Sequence, residues 1–272
     1  MNSSFVSPWI AAVENHPLYT HPLFDRWRAV EPGPEELGAL FHQIQCFCAS
    51  TRPGHAFPQT LRSLGHVEEA ALMDEIVASE SGHGPELATM AGYIINRAAG
   101  RTLFPDLYDT AAVEDQLRRA SDRVLGHVAG YDASDGLTAQ ARRAIAVFDS
   151  RRGTSAADAM RSLGVALALE IISNRHLIPG EKSALVESGL YGVSLDDAEM
   201  HYLAEHWGEL GAEQQHESNV IRAITSIAGT GDNADVRGGV VEFLDALASL
   251  WDALDEHVLA PLERRRMEVV NA

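Results

Sequence analysis

Apolar residues recur every three to four positions along most of the chain, and no alternating pattern of useful length interrupts them. This periodicity predicts helices and no strands. A first helix starts near Pro8, carries Trp9, Ile10 and Val13 on one face, and stops at His16-Pro17. The stretch from His16 to Pro34 contains Pro17, Pro22, Pro32 and Pro34 and reads mostly as connector. Residues 35–49 place Leu37, Leu40, Phe41, Ile44 and Phe47 on one side of a helix, and residues 51–58 read as a loop. Between residues 59 and 99 two helices flank Ser79-Glu80-Ser81-Gly82-His83-Gly84-Pro85, a composition that a regular helix does not favour. Further helices are expected over 107–128, 134–150 and 155–174. A turn at Ile178-Pro179-Gly180 leads into a short helix over 181–188. A capping box at Ser194–Asp197 then opens a long helix through Ile227. Residues 229–239, with four glycines, read as a loop, and the last helix, 240–269, should be interrupted by Pro261. The sum is seven to nine helices in a single all-α domain over residues 1–272, with a core bundle at about 35–269 behind an N-terminal helix and connector at 1–34.

Composition narrows the partners. The 272 residues include 39 acids and 21 bases, a formal charge of −18, so a phosphate backbone is repelled and nucleic-acid binding is not expected. No apolar run approaches the roughly 20 residues that span a bilayer, so no membrane partner is expected either. Met1 to Pro8 lacks the basic cluster and apolar stretch of a signal peptide. Cys46 and Cys48, two residues apart on a helix, point roughly 200° away from each other and cannot easily bridge. These features fit a reducing cytoplasm.

Phosphate loops, dinucleotide fingerprints and nucleophile elbows are absent from the sequence. The candidate chemistry lies in carboxylates and histidines. Glu80-Ser81-Gly82-His83 and Glu213-Gln214-Gln215-His216 both have the form Glu-x-x-His, which puts both side chains on one helix face. Two such pairs, joined by a carboxylate from each of two further helices, form the di-iron cage of helical bundles. Glu170 is a lone carboxylate in the apolar run Leu167–Ile172, a costly position unless the charge is paired or metal-bound. On one continuous helix His206, Glu209, Glu213 and His216 would share a stripe about 80° wide. His42 reads as a core or boundary histidine, and His201 lies off the stripe, whereas Tyr202 lies close to it. Trp207 and Trp251 read as core, and Glu68-Glu69 as a solvated face.

The His16-Pro17-Leu18-Tyr19 opening, the acid-rich helix broken before His83, the apolar helix ending in Glu170 and the late His/Glu stripe resemble heme-oxygenase-like diiron oxidases. They also resemble the wider thiaminase-II-like and quinone-cofactor-synthase-like helical fold, over roughly His16 to Val220. The resemblance implies metal ligands at Glu75 or Glu80, His83, Glu170, His206, Glu213 and His216. In the family a histidine falls where this chain has Glu209, one turn after His206, and this departure bears on the second metal position.

The resemblance implies an O₂-activating non-heme oxidase or oxygenase with Fe(II), two per chain, acting on a small organic substrate and supplied by an electron donor. It is compatible with a homodimer. Two other readings compete. One is a metal-independent enzyme of the same fold that uses Glu and His as acid and base. The other is a non-catalytic helical binding protein with a solvated stripe.

Overall fold

Prolines begin helices in the N-terminal segment, where the sequence suggests a connector. Pro8 starts α1 (Pro8–Glu14), Pro17 starts a 3₁₀ turn (Pro17–Thr20), Pro22 caps α2 (Leu23–Val30) and Pro34 starts α3 (Pro34–Thr51). The first helical position needs no N–H donor, so proline costs nothing there. This computed structural model describes residues 8–51, 56–79, 83–207, 212–229 and 233–270. The connector reading of 16–34 is corrected: Leu18, Leu23, Phe24 and Trp27 are buried in the same core as the later helices. Phe24 and Trp27 meet Trp251 and Phe41 with ring centroids 6.1 and 5.8 Å apart, and Arg26 pairs with Asp255.

The chain continues through α4 (Ala56–Ser63), α5 (Val67–Ser79), α6 (His83–Ala99), α7 (Thr110–Leu125) and α8 (Ala139–Ala146). Helix α4 takes in part of the expected loop at 51–58. A 3₁₀ turn over Val147–Arg152 leads to α9 (Ala156–Ile172), which opens on a capping box between Ser155 and Asp158. Then come α10 (Ile178–Lys182), α11 (His201–His206), α12 (Ala212–Ala228), α13 (Ala234–Leu254) and α14 (Ala260–Val270). The fold is all-α, as the periodicity predicts. Among the described residues β-structure is limited to one isolated bridge, Asp132 to Leu137, and no helix is long and apolar enough to cross a membrane.

Two helices are buried nearly all round. Helix α3 lies against α6, α7 and α8, and α9 lies against α12 and α13. Phe47 of α3, Phe148 and Phe243 of α13 join these two groups, with ring centroids 6.0 to 6.3 Å apart. The glycine-rich segment before residue 240 is not all loop. Asn233 caps α13 by accepting from Asp235 N and Val236 N, and Gly238 and Gly239 are helical. Gly239 faces α9 so closely that a β-carbon would sit 2.0 Å from the Arg161 carbonyl oxygen; Gly164 of α9 stands in the same relation to the Val236 oxygen. The glycines let two backbones touch.

Two corrections concern breaks. Pro179 does not end a helix, and Pro261 interrupts the last helix, as expected, without ending it. In both cases the residue before the proline donates five residues back, Ile178 N to Ser173 O and Ala260 N to Asp255 O, forming π turns over Ser173–Leu177 and Asp255–Leu259. The wider π turn carries one extra residue and relieves the clash between a proline ring and the carbonyl four residues earlier. The second correction runs the other way. The long helix expected through Ile227 is interrupted: α11 ends at His206, and Trp207 is extended at φ −94° and ψ 135°. The single stripe from His206 to His216 therefore does not exist as one helix face.

Adjacent glycines test the α9–α13 contact. Gly239→Ala should destabilise the fold by about 3 kcal/mol or more, because only backbone movement can make room. Gly238→Ala meets nothing nearer than the Arg161 Nη1 at 3.8 Å. It should stabilise α13 by about 0.5–1 kcal/mol. Urea denaturation of both variants measures the difference; equal effects would refute the backbone contact.

Candidate functional site

The apolar C-terminal half of α9 buries its one carboxylate. Glu170 is 5% exposed, and the His216 imidazole of α12 faces it, with Nδ1 3.6 Å from Oε2. That distance is too long for a hydrogen bond. It is close to the roughly 3–3.5 Å that separates two ligand atoms on one tetrahedral ion with bonds near 2.1 Å.

Side chains on either side of His216 fix α12 in place. Next to it, Glu217 accepts from Arg175 Nη2 at 2.5 Å and from Asn174 Nδ2 at 3.1 Å, and Arg175 also reaches Glu14 at 2.7 Å. Arg175 and Asn174 lie in the π turn that directly follows α9. One turn after His216, buried Asn219 donates to Glu75 Oε2 of α5 at 2.9 Å. Further along, Ser226 donates to Glu69. Glu69 is buried, which corrects its reading as part of a solvated face. Glu75, Glu170 and His216 thus come from three helices that meet at α12.

Of the remaining expected ligands, only His206 has a described side chain. His206 is buried on α11; its Nδ1 donates to the Tyr202 carbonyl at 2.6 Å, and its ring lies 4.5 Å from the Tyr202 ring. A carbonyl only accepts, so Nδ1 carries the proton and Nε2 the lone pair of the neutral ring. Glu80 and Glu209 lie outside the described residues, as do the side chains of His83 and Glu213, whose backbones belong to α6 and α12. Among the described residues Glu75, Glu170, His206 and His216 do not close into a ligand group of three. The group that does is Glu86, His201 and Glu205, all within 4.8 Å of one another, on the partly exposed seam between α6 and α11.

Several buried polar residues escape the sequence reading. Arg151 is 7% exposed, lies over the Phe148 ring at 4.6 Å and donates to the Thr51 carbonyl at 2.6 Å. Burial pulls its pKa down to about 10, and the Glu170 charge acts in the opposite direction. In the sequence Arg151-Arg152 looks like an ordinary surface pair. Glu181, at the start of the expected short helix, is 3% exposed, its Oε2 has no hydrogen-bond partner among the described residues, and burial pushes its pKa up to about 8. His42 is a core residue, as read, and contacts Ser121 at 3.1 Å. Neighbouring Gln43 donates to the Gly136 carbonyl at 2.7 Å and accepts from Thr138 N at 3.1 Å. Burial lowers the His42 pKa to about 4. Trp251 is buried as expected, but Trp207 is 40% exposed with Lys182 Nζ 4.3 Å from its ring centre.

Comparison with protein-family models, with curated proteins and with solved structures finds no match.

Glu181 generates a pH prediction. Its folded pKa of about 8 exceeds the ordinary 4.5, so the folded state holds the proton more tightly than the unfolded chain. Stability from this group is fully present below pH 4.5 and lost as pH rises towards 8. Glu181→Gln does not titrate, so its stability relative to the native protein should rise by about 2–3 kcal/mol between pH 5 and pH 7.5. Urea midpoints at the two pH values measure this; a pH-independent difference would refute the assignment.

Proposed function

We propose that the chain is an O₂-activating non-heme iron oxidoreductase acting on a small organic substrate. The observation that supports this reading is the Glu170–His216 pair, a carboxylate and an imidazole buried together at a ligand-like distance between α9 and α12. The donor set fits iron in kind, since carboxylates neutralise the charge and imidazoles bind ferrous ion well. Glu170 and His216 would hold one ion. Glu75 or Glu80, with His83, His206 and Glu213, are the candidates for completing a site of two. When bound, iron would supply the electrons that O₂ accepts, and a separate donor would restore them.

The residues of the chain carry the rest of the work. Leu167 and Ile171 of α9 and Val220 of α12 are buried and keep this layer apolar, so charges within it act strongly. The Tyr202 carbonyl fixes the tautomer of His206 and leaves Nε2 as its ligand atom. The Glu217–Arg175–Glu14 chain of ion pairs and the Asn219–Glu75 bond set the rotation of α12, and with it the position of His216. A cytoplasmic setting suits ferrous iron and the two cysteine thiols, which form no disulfide.

The same pair favours one second reading. A buried carboxylate beside an imidazole is also an acid–base couple, and a metal-free enzyme of this architecture would use Glu170 to orient His216 as a base.

Anaerobic reconstitution with Fe(II), removal of excess and Mössbauer spectroscopy before and after O₂ separate the two. The oxidase reading expects about two irons per chain in the native protein, oxidised by O₂. Glu170→Ala and His216→Ala should each retain less than about half of that, with helical circular dichroism retained. A native protein without bound iron would end the oxidase reading, and turnover that survives chelation would establish the acid–base one.

A further inference from the structure

Helices α6 and α11 carry a set of ligand-type side chains that the buried pair does not use. His201 and Glu205 are four residues apart on α11 and share a face, with His201 Nε2 3.0 Å from Glu205 Oε1. Glu86 comes from the first turn of α6, with Oε1 4.0 Å from the same His201 nitrogen. The Glu86 side chain is 32% exposed, and its second oxygen is shielded from solvent with no hydrogen-bond partner among the described residues. A carboxylate with an oxygen that no donor occupies is available to a cation.

We propose that Glu86, His201 and Glu205 form a second, surface metal site for a borderline first-row divalent cation, typified by Zn²⁺, which joins the start of α6 to α11. The geometry is close to what such an ion requires. Ligand atoms on a tetrahedral ion with bonds near 2.1 Å lie roughly 3.4 Å apart. Here one pair is shorter and one is longer, and all three atoms lie within 4.8 Å, so side-chain rotations of less than about an ångström per ligand close the site. One imidazole and two carboxylates suit Zn²⁺ better than Ca²⁺, which takes oxygen only. Exposure of His201 and Glu205 leaves the remaining coordination to water. The net charge of −18 raises the local cation concentration.

The site is independent of the buried pair. His201 and Glu205 face outward on α11, whereas Tyr202 and His206 face the core. An ion bound here would couple the first turn of α6, which begins at His83, to the helix that carries His206. It would stabilise the native state by mass action, and the apparent melting temperature would rise with ion concentration.

Zn²⁺ titration of the chelator-stripped protein, followed by calorimetry and by thermal unfolding, tests the proposal. His201→Ala should lose one equivalent of Zn²⁺, or bind that equivalent at least tenfold more weakly, and should lose the matching rise in melting temperature. Glu86→Gln should do the same, although it keeps the size of the side chain. Glu170→Ala should retain the equivalent that His201→Ala loses, so failure of the surface site and failure of the buried site give different patterns. Co²⁺ supplies a spectroscopic check, since its visible bands should weaken in His201→Ala. Native-like Zn²⁺ stoichiometry and affinity in both His201→Ala and Glu86→Gln would overturn the proposal.

Discussion

Helix α9 is enclosed. Helix α13 lies so close that two glycines replace side chains at the contact, and α12, α1 and α4 cover other sides. From Ser162 to Ile172 no residue of the helix is exposed, so Glu170 is buried by the packing of its neighbours. An uncompensated charge there would cost several kcal/mol. The positions of His216, Arg151 and the helices that bear them all answer this one constraint.

Helix α12 shows how the answer is held. Few of its hydrogen bonds to other elements are made by the backbone; side chains do the work. Arg175 grips Glu217 from the π turn after α9, Glu75 accepts from Asn219, and Glu69 accepts from Ser226. Two of the grips fall near the middle of the helix and one near its end, and together they fix its rotation as well as its position. The π turn contributes directly: it supplies Asn174 and Arg175 at the point where the chain leaves Glu170. Such turns are frequent at functional sites because one extra residue re-aims the side chains around it.

Buried polar groups in this protein fall into two kinds. The His42–Gln43–Ser121–Thr138 network satisfies its members internally and joins α3 to α7 and to the start of α8. This is how a polar core specifies packing. Arg151, Glu181 and Glu86 each leave an atom without a hydrogen bond among the described residues. Incomplete satisfaction costs stability, most of all where the group can carry a charge.

Periodicity alone determined that the chain is helical, and it located most helices to within a few residues, because the 3.6-residue repeat of apolar positions is a local property. It also determined that Glu170 is unusual, since an apolar run declares burial without reference to any partner. Prolines and glycines are hard to read for a common reason: their local cost is visible in sequence, but what offsets it is not. Pro179 and Pro261 follow π turns, Pro22 and Pro34 start helices, and Gly164 and Gly239 serve a backbone contact between helices far apart in the chain. Only the tertiary structure decided that His206 and His216 belong to different helices, that Glu75 reaches α12 through Asn219, and that Glu86 meets His201. Each is a meeting of side chains from separate elements, and spacing along the sequence constrains such a meeting only while one regular helix spans both residues.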